Sequence, residues 1–223
     1  MIKIGLSGAS GRMGQTFKKL IEESDKFSLG AEFSKDSPLE GWSSGSVDAV
    51  IDFSLPEGLK EVSNWCQKNK KPLITGTTGF EKISDVVDIE SLEYPLMHSG
   101  NYSLGIASVI QSLKSFKALS KNARVWIEDY HHKNKKDSPS GTALKISQAI
   151  KNDLDKETQI NDVRAGSIFG IHKIHIATDE EWVTLSHTAL NREVFAKGAL
   201  EVVPWLMDQS AAYYSLEDFI NQA

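Results

Sequence analysis

The sequence predicts an α/β fold, opening with parallel βαβ units and changing character in its second half. Three observations carry this. Short apolar runs alternate with helical stretches over the first hundred residues, the pattern of parallel strands joined by crossover helices. A glycine-rich turn, Gly8-Ala9-Ser10-Gly11-Arg12-Met13-Gly14, lies directly between the first such run and the first helix. From about residue 125 the strands alternate polar with apolar residues, as antiparallel strands do.

Residues 1–6 read as a short buried strand, followed by the glycine turn and a helix with Phe17, Leu20 and Ile21 on one side. Residues 27–33 and 47–53 form the next strands, the latter ending at Asp52-Phe53-Ser54. A helix over 56–70 leads to a strand at 72–75, a helix is expected over 80–92, and a strand follows at 96–99. A long helix should cover 104–120. The strand 125–130 then delivers the chain into a basic loop, and 142–154 is helical. Strands at 171–176 and 182–188 precede closing helices at 194–206 and 216–221. There is no internal repeat and no low-complexity linker.

The chain has 223 residues, 40% apolar and 25% charged, ordinary values for a globular protein with well-buried cores. Its formal charge of −5 argues against a nucleic-acid partner. Cys66 stands alone, which leaves no disulfide framework or cysteine metal cluster and suits a reducing compartment. No targeting segment and no apolar run of membrane-spanning length is visible. The expectation is a cytoplasmic, soluble protein with neither a nucleic-acid nor a membrane partner.

The turn at 8–14 has the spacing G-x-x-G-x-x-G, a variant of the dinucleotide fingerprint. Small residues let the backbone approach a pyrophosphate, and the following helix N-terminus faces it. A carboxylate about twenty residues beyond the glycines would hold the 2′-hydroxyl of NAD. Ser34 occupies that place, followed by Lys35, and Glu32 falls one strand position too early. A hydroxyl and an ammonium suit a 2′-phosphate, so NADPH is favoured over NADH.

The loop His131-His132-Lys133-Asn134-Lys135-Lys136 packs two imidazoles and three ammonium groups into six positions. It runs through Ser138-Pro139-Ser140-Gly141-Thr142 into a helix start. Imidazoles and ammoniums donate protons and a helix N-terminus holds anions, which describes a pocket for a small carboxylate. A solvated charged face is the alternative. His172, His175 and His187 fall on strands and read as sheet or interface residues. His175 and His187 lack metal-ligand spacing, and no metal site is expected.

Several segments, in the same order, resemble the dihydrodipicolinate reductase (4-hydroxy-tetrahydrodipicolinate reductase) family. They are the 8–14 turn, Asp52-Phe53-Ser54 with Pro56-Glu57, Thr75-Gly76-Thr77-Thr78-Gly79-Phe80, Asn101-Tyr102-Ser103 with Gly105, and the 131–142 loop. Val163-Arg164-Ala165-Gly166 and Phe195-Ala196 with Gly198-Ala199 extend the likeness over nearly the whole chain. It implies a Rossmann-type dinucleotide-binding domain over 1–102 and 193–223. It also implies an α+β substrate domain over 103–192, with an open mixed sheet through which a homotetramer forms. The implied activity is that of an oxidoreductase of diaminopimelate and lysine biosynthesis, which reduces a small cyclic dicarboxylate to tetrahydrodipicolinate with NADPH or NADH.

By position, the resemblance makes His131 the acid/base residue and Lys135 the proton donor. It places His132, Ser140, Gly141 and Thr142 at the substrate. Gly8, Ala9, Ser10, Gly11, Arg12 and Met13 would line the cofactor, with Gly76, Thr77, Thr78, Ser99, Gly100, Asn101 and Tyr102. Ser34 and Lys35 would lie at the adenosine ribose. Lys133 and Lys136 read as steering or solvated charges, and Arg164 and Arg192 as cleft-shaping residues. The chain departs from the family pattern at Ser34, where many members carry an acid, and in short connections at 35–47 and 154–163. Two rivals stand: another nicotinamide dehydrogenase on the same two-domain plan, and a nucleotide sensor without turnover.

Overall fold

The structure, a computed structural model, describes residues 1–34 and 38–222. The chain forms two compact units, Met1–Tyr102 with the chain from Phe195 onward, and Ser103–Val194. The first unit opens with β1 (Ile2–Ser7), α1 (Arg12–Glu22), β2 (Phe27–Phe33), β3 (Ala49–Asp52), α2 (Pro56–Asn69), β4 (Leu73–Thr75) and β5 (Leu96–His98). All residues of β3 and β4 are buried, the pattern of strands covered on both faces. Pro56 opens α2, where its missing N–H is harmless, and Lys70 closes it in the left-handed conformation. The helix buries Leu59, Val62 and Cys66 against Val50, Leu73 and Leu96. Each of these aliphatic side chains contributes about 2 kcal/mol by leaving water.

The second unit contains α3 (Leu104–Ser112), α4 (Lys117–Ser120), β6 (Arg124–His131), α5 (Gly141–Leu154), β7 (Gln159–Arg164), β8 (Ile171–Ala177) and β9 (Trp182–Thr188). Its sheet has the order β7-β6-β8-β9 and is mixed, with β7 parallel to β6 and the other pairs antiparallel. Val125, Ile127, Ile174 and Ile176 on one face pack with Ile110, Ile146 and Ile150 from the helices. The other face carries Trp126 stacked on His175 at 4.7 Å and edge-on to Trp182 at 5.0 Å.

The chain re-enters the first unit along α6 (Glu193–Met207) and adds β10 (Tyr213–Tyr214) and α7 (Leu216–Gln222). The first sheet then reads β10-β5-β4-β3-β1-β2, with every pair parallel. An α/β protein with a parallel Rossmann-type sheet and a second, mixed sheet is the architecture expected from the sequence.

Several elements differ from expectation. The helix expected over 80–92 is absent except for a 3-10 turn at Ile83–Asp85. There Asp85 accepts the Lys82 N–H, and Asp88 accepts the Glu90 N–H and the Ser91 hydroxyl. Short acidic side chains thus take backbone donors that a helix would need, while Ile83 and Val87 anchor the segment in the core. The run over 104–120 is helical but tightens into a 3-10 turn at Leu113–Phe116. β7 and β10 were not foreseen. β7 is a largely exposed edge strand of polar residues, without apolar alternation to announce it.

Candidate active site

In the first unit the glycine turn closes over the carboxyl end of β1. Gly8 has φ +76, and a Cβ on it would lie 2.4 Å from the Phe53 carbonyl oxygen. A Cβ on Gly14 would lie 2.2 Å from the Gly8 carbonyl oxygen, so α1 packs directly on the turn. Gly11 at the N-cap supplies no side-chain cap, which leaves the first-turn N–H groups to an outside acceptor. A cleft of about 750 Å³ borders this turn, lined by Gly8, Ser10, Gly11, Phe33, Ser34 and Leu55. Glu57 and Glu61 line it as well. Lys35 lies outside the described residues.

Asp52, at the end of β3 and fully buried, gathers the loops beside the cleft. It accepts hydroxyls from Ser7 at 2.6 Å, Ser54 at 2.5 Å, Thr75 at 2.8 Å and Thr77 at 2.7 Å. The Thr77 hydroxyl also accepts the Ser54 N–H at 2.9 Å. Ala9, Thr77 and Tyr102, which the resemblance places at the cofactor, have buried side chains. The Tyr102 hydroxyl donates to the Thr75 and Met97 carbonyls, and burial holds its pKa well above the usual phenol range. Ser99 is buried with its hydroxyl donating to the Asn101 carbonyl, Asn101 is half-buried, and Gly100 is exposed. His98, at the end of β5, sets Nε2 3.1 Å from the Thr77 carbonyl.

In the second unit the hub is Asp129 on β6, also fully buried. His131 Nδ1 lies 2.8 Å and His172 Nε2 3.3 Å from its Oδ1. Ser140 donates its hydroxyl to Oδ1 at 2.9 Å and its N–H to Oδ2 at 2.8 Å. Arg164 Nη2 approaches Oδ2 at 3.2 Å. Burial alone would raise the pKa of this carboxyl, but the imidazoles and Ser140 hold it well below the usual carboxylate range. Asp129, His131 and His172 have ligand atoms within 4.8 Å of one another, a spacing open to a metal. The Ser140 N–H and hydroxyl and the Arg164 guanidinium, which already donate to the carboxylate, fit a hydrogen-bonded hub instead. His187, opposite His172 on β9, pairs with the Ser103 hydroxyl at 3.0 Å, and burial lowers its pKa.

The basic loop leaves β6 at His131 and returns at the N-cap of α5. Arg164 ties it down, its Nη2 donating to the Asp137 carbonyl at 2.8 Å. Lys135 Nζ pairs with Asp137 at 2.9 Å, and the Lys135 N–H donates to the His132 carbonyl. His132 is half-buried, while Lys133 and Lys136 are exposed. Gly141 and Thr142 open α5, Gly141 exposed and Thr142 half-buried. Ser140 corrects its expected role: it is buried, caps α5 by accepting the Ala143 N–H, and directs its own donors to Asp129. It supports the site from within.

The family model described as dihydrodipicolinate reductase, N-terminus, matches residues 2–47 and 39–102, and the C-terminus model matches 105–220. The chain belongs to the dihydrodipicolinate reductase family. A 4-hydroxy-tetrahydrodipicolinate reductase of Bdellovibrio bacteriovorus is 40% identical over 226 residues, covering 98% of this chain and 96% of that one. One of Campylobacter jejuni is 34% identical, covering 99% and 100%. A dipicolinate-bound dihydrodipicolinate reductase from Paenisporosarcina sp. TG-14 shares the fold, with TM-score 0.77 at 21% identity over 98% and 99% of the two chains. The aspartate semialdehyde dehydrogenase II of Vibrio cholerae reaches TM-score 0.55 at 12% identity over 92% and 98%. The dihydrodipicolinate reductase fold therefore matches better than the plan it shares with a sister dehydrogenase.

Within this reductase family member, three site residues escaped sequence reasoning: Asp129, His172 and the part played by Arg164. Asp129 did leave a signal. It lies in phase with buried Val125 and Ile127 on β6, a carboxylate on a core face. Arg164 entered only through the resemblance, as a cleft-shaping residue; its contact with Asp129 depends on the pairing His131↔Arg164, which brings β7 beside the loop.

Proposed function

We propose that this chain reduces 4-hydroxy-tetrahydrodipicolinate to tetrahydrodipicolinate with NADPH or NADH, in diaminopimelate and lysine biosynthesis. The observation carrying this reading is the gathering of His131, the Lys135 loop and the first turn of α5 around buried Asp129, in a chain of this family. Residues 1–102 and 193–223 are read as the cofactor domain and 103–192 as the substrate and oligomerisation domain. Support comes from a compact division that falls after Tyr102 and after Val194.

A nicotinamide cofactor fits the first unit, because the side-chain-free turn and the uncapped α1 suit a pyrophosphate. Gly8, Ala9, Ser10, Gly11, Arg12 and Met13 would hold it there. Gly76, Thr77, Thr78, Ser99, Gly100, Asn101 and Tyr102 would flank its other end. The bound reduced cofactor supplies the hydride. Lys135, held by Asp137 until substrate arrives, donates the proton that quenches the resulting negative charge. His131 exchanges a proton with the substrate, whose 4-hydroxyl leaves as water, and His132 with the Gly141–Thr142 turn binds its carboxylates. By sequence Ser34 and Lys35 favour NADPH, whereas Glu57 and Glu61, which line the cleft together with Ser34, oppose a 2′-phosphate, so both cofactors enter the test. The exposed Trp182, beside Trp126 and His175 on the open sheet face, supports a homotetramer built through that face. A lone, buried Cys66 supports a cytoplasmic setting.

The deciding experiment mixes purified protein with freshly generated 4-hydroxy-tetrahydrodipicolinate and follows NADPH and NADH absorbance in parallel. Oxidation dependent on the diacid is expected, faster with NADPH. Cofactor binding without turnover would move the reading to a sensor or a sister dehydrogenase.

A further inference from the structure

We propose that Asp129 is a positioning residue that commits Nδ1 of His131 to a buried anion and so makes Nε2 the nitrogen that exchanges protons. The proposal rests on the reductase reading for the identity of that exchange. A carboxylate on the core face of a strand is expensive unless compensated. Here compensation comes from four elements: His131 on β6 itself, His172 on β8, Ser140 at the α5 N-cap and Arg164 on β7.

A carboxylate needed only for architecture would be served by amides and hydroxyls. Asp129 instead meets two imidazoles, rings whose two nitrogens take different roles according to which one faces a partner. The other charged groups facing this cluster are Asp162, 3.8 Å from Arg164 Nη1, and the Lys135–Asp137 pair, which Arg164 links through the Asp137 carbonyl. His187 faces His172 from β9. Depressed far below its ordinary range, Asp129 stays anionic and so favours a proton on the ring nitrogen beside it.

A second observation restrains the ring from its other side. A Cβ on Gly170 would lie 3.0 Å from His131 Nε2, so the backbone there closes on the imidazole with no side chain between. The ring is held between Asp129 and Gly170. Arg164 extends the arrangement, since the guanidinium that pairs with the carboxylate also donates to the Asp129 and Asp137 carbonyls. One buried pair thereby sets both the imidazole and the loop bearing Lys135.

The test is Asp129→Asn, which keeps the shape and removes the charge. We expect kcat to fall by about a hundredfold or more, with KM and cofactor affinity little changed. 15N-histidine spectra of the variant should show the proton of the neutral His131 ring redistributed from Nδ1 toward Nε2. An unchanged tautomer would overturn the proposal. Should the variant fail to fold, 15N-histidine NMR of the unmodified chain decides: a neutral His131 protonated at Nδ1 supports it, and one protonated at Nε2 overturns it. If the unmodified chain shows no turnover, the reductase reading fails, while the NMR result still decides the role of Asp129.

Discussion

Asp52 and Asp129 are both fully buried carboxylates near the carboxyl end of a strand, one in each unit, and their partners differ in kind. Asp52 is surrounded by four hydroxyls, none of which changes charge in the physiological range. Asp129 is surrounded by two imidazoles, a guanidinium and a serine. The same side chain, equally buried, serves as a pin for loops in the first unit and as an electrostatic reference that orients imidazoles in the second. Burial and residue type do not distinguish the two roles; the chemistry of the donors does.

The largest test of this contrast is Lys135→Ala. The lysine is only partly buried and paired with Asp137, so its removal should leave folding intact and lower turnover by about 10²- to 10⁴-fold. Steady-state rates beside a fluorescence titration of NADPH binding would check this, and preserved turnover would remove Lys135 from the chemistry. Asp52→Ala should behave oppositely. It strips the acceptor from Ser7, Ser54, Thr75 and Thr77, costing about 3 kcal/mol or more. Calorimetry should show an earlier transition with weakened cofactor binding, and an unchanged transition would refute the pin.

A smaller effect is expected from Gly170→Ala, whose Cβ would press on His131 Nε2 at 3.0 Å. Turnover should drop about tenfold while stability changes by less than about 1 kcal/mol. Equal losses in both would mean that the ring has no special orientation to lose. The smallest effect concerns His187, whose pKa burial and the nearby His172 lower. The unfolded chain then binds the extra proton more readily, so stability present above about pH 6.5 weakens as pH falls below it. Urea midpoints on either side of that pH should differ less in His187→Gln than in the unmodified chain.

Much of the first unit was legible because its signals are local. The glycine turn, the uninterrupted apolar strands and the proline-led α2 each depend on neighbours within a few residues. The basic loop and the start of α5 were legible for the same reason. Residues 80–92 misled because charged residues at helical spacing look like a solvated helix, while Asp85 and Asp88 were already occupied by local backbone donors. The hub around Asp129 was illegible except for the phase of Asp129 with Val125 and Ile127, since Arg164 lies 35 positions from it and His172 arrives on a different strand.

The sequence by itself determined the α/β class, the turn that suits a dinucleotide and the cationic loop. Periodicity, glycine spacing and charge clustering are properties of short segments, and short segments obey local sterics and solvation. Only the tertiary structure decided that Ser140 faces inward, that β7 brings Arg164 beside His131, and that His172 belongs with Asp129. Those outcomes follow from strand register and from the need of one buried carboxylate for donors. The fold met that need with groups from four separate elements.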